Sequence, residues 1–192
     1  MPRNLKNTII HLNGFPGTGK YTVAKEIVKQ ADVRLVDNHL INNPVFSLMR
    51  LDGKTEIPES AWVNIRVIRQ AVLDTMARIS PAEYNFVMTN VLFDDDPGDH
   101  DIMARVMDIV RQRQSIFVPV KLVISDVAEH VKRITDPARE TRMKETDPDA
   151  PARYAQSTLL KTDHPNLLVL DVTALPPAES ARAILAHTAQ SR

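Results

Sequence analysis

Short apolar runs rich in β-branched residues alternate along the chain with longer stretches whose apolar residues return every three or four positions. The runs lie at 8–13, 33–37, 84–88, 118–124 and 167–171; each predicts a buried strand. The fourth is expected to begin in earnest only after Pro119, because proline cannot donate to a central ladder. Between the runs the spacing turns helical. Val23, Ala24, Ile27 and Val28 mark a first helix, 40–51 a second, and 58–79 a long third with proline near its first turn. On that third helix Trp62, Ile65, Ile68, Val72, Leu73, Met76 and Ile79 share one face. Further helices are expected at 99–114, from Ser125 until Pro137 stops it, at 149–161, and after Pro176 and Pro177.

Strand and helix thus alternate five times, which predicts an α/β fold of three layers with a five-stranded parallel sheet covered on both faces. Residues 1–192 fit one domain, and 43% hydrophobic residues suffice for it. Periodicity does not reveal the strand order. Open sheets of this kind bind ligands at the carboxyl ends of their strands, which singles out Asp37, Asn38 and His39 after the second strand and Thr89 and Asn90 after the third. Asp37 has a competing role as cap of the helix that follows, and His39 a competing role as a merely structural histidine.

Charge narrows the partners. Lys plus Arg and Asp plus Glu number 24 each, so no global field draws in nucleic acid or an anionic membrane. Without cysteine there is no disulfide, thiolate nucleophile or cysteine metal site, a composition compatible with the cytoplasm. The apolar runs fall far short of a membrane span, and no signal peptide is evident.

The chemistry concentrates in one stretch. Of five glycines in the chain, Gly14, Gly17 and Gly19 fall within Gly14-Phe15-Pro16-Gly17-Thr18-Gly19-Lys20-Tyr21-Thr22. The spacing G-x-x-x-x-G-K lets successive N–H groups point at phosphate oxygens while the lysine reaches the outer phosphates. Strand before and helix after are the context that this phosphate loop requires, and the first turn of the helix brings its positive end to the anion. Tyr21 stands where the commonest form has a metal-binding Ser or Thr, and Thr22 comes one residue late.

Here the chain resembles the nucleoside-monophosphate kinases, whose loop reads G-x-P-G-x-G-K-G-T. Gly14, Pro16, Gly17, Gly19, Lys20 and Thr22 match that pattern, and Tyr21 replaces its glycine. In element order the resemblance extends over nearly the whole chain to the adenylate, shikimate and gluconate kinases, and to bacterial AAA-type or shikimate-kinase-like ATP-binding proteins. It implies a P-loop nucleoside triphosphate hydrolase fold binding ATP through residues 14–22. It further implies Mg²⁺ held mostly by water and substrate oxygens, with Thr22 and Asp37 near its water shell. Arg133 would lie against the adenine, and Thr173 would open the loop beside the base. Asp37 would orient or deprotonate the acceptor.

Two features of the residues themselves bear on that reading. Arg69 falls inside the apolar face of the third helix and Arg66 at its edge. Either they snorkel at the rim of the core, or they emerge into the cleft to hold an anionic group. The segment 136–151 carries Arg139, Arg142 and Lys144 among prolines and acids, the profile either of a solvated loop or of a cationic lid that shields a transferring phosphoryl group. Asp94, Asp95 and Asp96 are expected to serve the positive end of the next helix. Asn90 leaves no charged residue where many such proteins place a metal-linked aspartate.

The sequence therefore predicts a kinase, ATP- and Mg²⁺-dependent, acting on a hydroxyl or phosphate of a small molecule as a monomer or homodimer. The alternative is a nucleotide-dependent switch acting on a protein partner. A GTPase lacks its guanine-reading Asn-Lys-x-Asp here, and an AAA motor lacks its strand ending in Asp-Glu.

Overall fold

Strand β1, Thr8–Asn13, is buried at all of its positions, as expected of a β-branched run sealed on two faces. In the computed structural model, which describes residues 5–51 and 57–191, it sits mid-sheet. The other strands are β2 (Arg34–Asp37), β3 (Phe86–Asn90), β4 (Ile116–Val123) and β5 (Leu168–Asp171). All pair in parallel, in the order β2-β3-β1-β4-β5. The three-layer α/β architecture is the expected one.

Alternation along the strands assigns the layers. Ile10, Leu12, Val87, Val118, Val120 and Leu122 pack against Val23, Ala24 and Ile27 of α1 (Lys20–Gln30) and Ala181, Ile184 and Leu185 of α7 (Pro177–Thr188). On the opposite face Ile9, Phe86, Met88 and Phe117 meet Leu73 and Met76 of α3 (Glu59–Arg78) and Val106, Ile109 and Val110 of α4 (Pro97–Arg113). A smaller cluster joins Ile41 and Phe46 of α2 (Asn38–Phe46) to Ile65. Helix α5 (Val127–Ile134), a 3₁₀ turn at Pro137–Arg142 and the short α6 (Ala150–Tyr154) cross the carboxyl edge. Among the described residues no helix is long and apolar enough to cross a membrane.

Several boundaries differ from the expected ones: β3 runs from Phe86 to Asn90 rather than over 84–88, and α2 ends at Phe46 rather than at 51. Pro119 lies inside β4, opposite His11. The carbonyl of Phe117 accepts from Asn166 on the β5 flank, so by the two-residue period Pro119 also faces that flank, where β5 begins pairing only at Val120; no ladder donor is lost. Helix α2 starts two residues early because the Asp37 carboxylate accepts from His39 N at 3.0 Å and caps it. Helix α4 starts at Pro97 under a cap from Asp96 to Gly98 N. Helix α6 stops at Tyr154, since 158–160 leave it to pair with 92–94 through Asp94 N to Thr158 O and Leu160 N to Leu92 O.

Candidate active site

The loop between β1 and α1 needs its glycines. A Cβ on Gly14 would lie 2.8 Å from the Leu122 carbonyl, and Gly17, at φ 93°, lies against the His130 ring. Gly19, at φ 80°, forms the N-cap of α1, so Lys20 opens the helix with unpaired N–H groups around it. Side chains from across the cleft clamp the loop. His130 Nε2 donates to Pro16 O at 2.6 Å, and Phe15 stacks on Tyr154 with ring centroids 5.0 Å apart and planes 6° from parallel. Thr18 Oγ1 donates to Phe15 O at 2.8 Å.

Over this loop opens a cavity of about 680 Å³. One end is lined by residues 16–23, Arg133 and 172–177; the other by Asp37, Asn38, His39, Asn42, Phe46, Ile57, Trp62, Thr89 and Asn90; Arg139, Met143 and Lys144 lie along it too. Lys20 Nζ donates to Gly14 O and, at 3.0 Å, to Phe15 O. Burial first, then the charges of Lys144 and Arg139, push its ammonium down to about 7, against the pull of Asp37. Lys20, Arg133, Arg139 and Lys144 line the cavity together with Asp37, Asp136 and Glu145, and around Lys20 the cations outweigh the one carboxylate that opposes them, a setting in which a bound anion restores the ammonium.

At the loop end, Arg133 Nη2 donates to Val172 O at 2.9 Å and Thr173 O at 2.7 Å while its Nε holds Glu129. Thr173 Oγ1 donates to Asp171 and accepts from Ser125 N. Arg133 thus shapes the 172–177 loop as well as lining the cavity.

At the far end, both oxygens of Asp37 are engaged: Oδ2 caps α2, and Oδ1 accepts from Thr89 Oγ1 at 2.5 Å. The side chain is buried yet lines the cavity, so capping and facing the cleft coexist. His39 Nδ1 lies 3.2 Å from Asn43 Oδ1; with Nδ1 as donor, Nε2 carries the lone pair, and burial together with Lys144 keeps the ring below its ordinary pKa. Asn90 Oδ1 accepts from His11 Nε2 at 3.0 Å. Burial drives His11 down to about 4, so it is neutral and its other nitrogen carries no proton. Phe46 and Trp62 meet edge to face at 5.7 Å.

The two arginines of α3 part ways. Arg69 is buried beneath this end, its Nη2 donating to Asn42 Oδ1 at 3.3 Å and its Nε buried without a hydrogen-bond partner. It borders a second void, about 10 Å³, with Asn38, Thr89 and Asn90. Arg66 turns outward to Glu59 at 2.5 Å and does not line the cavity, so the expected cleft contact is replaced by an exposed ion pair. Asp94 is held by Lys161 at 2.8 Å, away from the cavity. The side chain of Arg142 lies outside the described residues. Thr22 is exposed at the cavity edge. No group of three or more His, Asp or Glu able to hold a metal occurs among the described residues.

Sequence reasoning missed Thr89 as the partner of Asp37, His11 as the support of Asn90, and His130 as the clamp on the loop. Only His11 left a signal, as a polar residue in the middle of an apolar strand.

No protein-family model and no curated protein matches the sequence. Solved structures do. A gluconokinase from Sinorhizobium meliloti 1021 is 14% identical, with a TM-score of 0.63 over 97% of this chain and 94% of that one. A sugar kinase from Janibacter sp. HTCC2649 is 15% identical, TM-score 0.55, over 94% and 93%. Shikimate kinase from Aquifex aeolicus is 16% identical, TM-score 0.51, over 94% and 95%. At such identities the likeness is one of fold: this chain has the fold of the P-loop kinases.

Proposed function

We propose that this chain, folded as the P-loop kinases are, transfers the γ-phosphoryl group of ATP to a hydroxyl or a phosphate of a small molecule. One observation carries the reading: a single cavity joins the phosphate loop at one end to a buried carboxylate, Asp37, at the other, with Lys20, Arg139 and Lys144 gathered beside it. A phosphoryl group passing between the two ends would pass Lys20, Arg139 and Lys144.

ATP supplies the phosphoryl group, and Mg²⁺ screens the charge of its phosphates. Thr22 and Asp37, which both line the cavity, would hold such a metal through its water shell. Loop amides and the Lys20 ammonium hold the phosphate oxygens, and a polyanion there returns Lys20 to its charged form. Arg139 adds a second cation. Asp37 accepts the proton of an acceptor hydroxyl or orients it, with Thr89 Oγ1 and His39 N fixing the carboxylate plane. Positioning and electrostatics do most of the work in such transfers.

A metabolite pool offered with ATP and Mg²⁺, read by mass spectrometry for mass gain of one phosphoryl group, tests the reading, with Lys20→Ala as control. A product made by the wild type and not by the variant supports it. ATP turnover that no small molecule stimulates would instead favour a switch.

A further inference from the structure

We propose that the Tyr21 ring is the seat for Lys144, and that this pairing delivers a lid cation to the phosphate end of the cavity; the proposal rests on the kinase reading above. Tyr21 follows Lys20 in the first turn of α1 and lines the cavity. Lys144 Nζ stands 4.7 Å from its ring centroid, inside the range of a cation–π contact. One turn along the helix, Lys25 Nζ lies 4.9 Å from the same centroid.

The chain around Lys144 is shaped to put it there. Met143 is held at φ 52°, a left-handed conformation that a methionine adopts only where its surroundings impose it. Its side chain packs with the Ile41, Phe46 and Ile65 cluster at the acceptor end. Lys144 N donates to Arg139 O at 3.2 Å, and Arg139 Nε donates to Glu145 O at 2.8 Å, closing a tight turn. Two consecutive residues are therefore fixed to opposite ends of the cavity: Met143 to the acceptor side, Lys144 to the phosphate side. Lys144 is felt at both, since it helps to lower Lys20 and His39 alike.

The chemistry explains why an aromatic residue suits this position. A carboxylate would hold Lys144 by neutralising it and would repel a phosphate. The ring face attracts an ammonium through its quadrupole without cancelling its charge, so that the cation still attracts the oxygens of a phosphoryl group in transit. Tyr21 is in this account a positioning residue that acts through Lys144.

Hydrogen–deuterium exchange on the full chain, with Mg²⁺ and a non-hydrolysable ATP analogue, reads lid seating without turnover. In the wild type the analogue should protect the amides of both 14–20 and 137–145. Tyr21→Phe should behave alike, because the ring face remains. Tyr21→Ala and Tyr21→Thr should keep protection of the loop and lose about two- to fivefold at the lid. Lys144→Gln, which leaves α1 untouched, should lose the same amount, and the Tyr21→Ala/Lys144→Gln double variant no more than either. Unchanged lid protection in Tyr21→Ala, losses that add in the double variant, or a loss in Tyr21→Phe would each overturn the pairing while the nucleotide reading stands. If the analogue fails to protect the loop of the wild type, the kinase reading falls and takes the pairing with it.

Discussion

The two ends of the cavity are built in opposite ways. On the proposed reading, the phosphate end is centred on consecutive residues, 14–22, whose glycines let the backbone turn its amides inward, with Arg133 and 172–177 beside them. The acceptor end is assembled from side chains of β2, α2, α3 and β3, and its key contacts join residues far apart in the chain, Asp37 to Thr89 and His11 to Asn90. A backbone site is insensitive to most of what surrounds it, because any sequence that adopts the loop presents the same amides. A side-chain site changes its ligand with each substitution. On the proposed kinase reading, the first end would be shared widely and the second would carry whatever sets this chain's own acceptor.

Asp37→Asn strikes the acceptor end hardest. Asparagine can still cap α2, so the melting temperature and ATP affinity should stay close to wild type, while turnover falls by about 10²- to 10⁴-fold if the carboxylate accepts a proton. Near-normal turnover would reduce Asp37 to a cap. Lys20→Ala is the matching blow at the phosphate end: an intact fold by circular dichroism and a loss of at least about a hundredfold in rate. Turnover within threefold of wild type would dismiss the phosphate-loop assignment. Between the two ends, Arg139→Ala should cost about tenfold in kcat and leave the nucleotide Kd nearly unchanged, as expected of a group that contributes chiefly at transfer. An equal loss in affinity would assign Arg139 to the resting nucleotide site.

The smallest effect is a proton. With its folded pKa lowered to about 7, Lys20 is mostly neutral at pH 8. A bound polyphosphate favours the charged form and raises that pKa, so nucleotide binding at pH 8 should take up about one proton. Below pH 6 the lysine is already charged and the uptake should vanish. Calorimetry in buffers of different ionisation heats measures this, and Lys20→Ala should abolish it.

The contrast between the ends also sets what could be read in advance. The loop and the five strands were legible because each is a local pattern: glycine spacing in one case, short β-branched runs in the other. Pro119 was misread for a related reason. Whether a missing N–H matters depends on which flank it faces, and that is decided by Asn166 and the late start of β5. Arg66 and Arg69 sit three residues apart on one helix, yet one meets Glu59 in solvent and the other is buried under Asn42. The wheel placed them near the core without saying which neighbours they would find. Asp37 could be read as a cap or as a cleft residue, and the fold allows both at once because a carboxylate has two oxygens and each has its own partner.

The clamp on the phosphate loop has a mechanical consequence. The segment between α5 and α6 leaves a helix in which His130 is fastened to Pro16 and enters one in which Tyr154 is fastened to Phe15. Both ends of the strap are thus moored to neighbouring links of the same loop. A strap moored in this way would be expected to swing about its anchorage rather than travel away from it, much as a bucket handle turns on its rim. On the proposed reading, the loop that cradles the donor would then also be the pivot, and a shift in its backbone would reach Arg139 and Lys144 as a rotation.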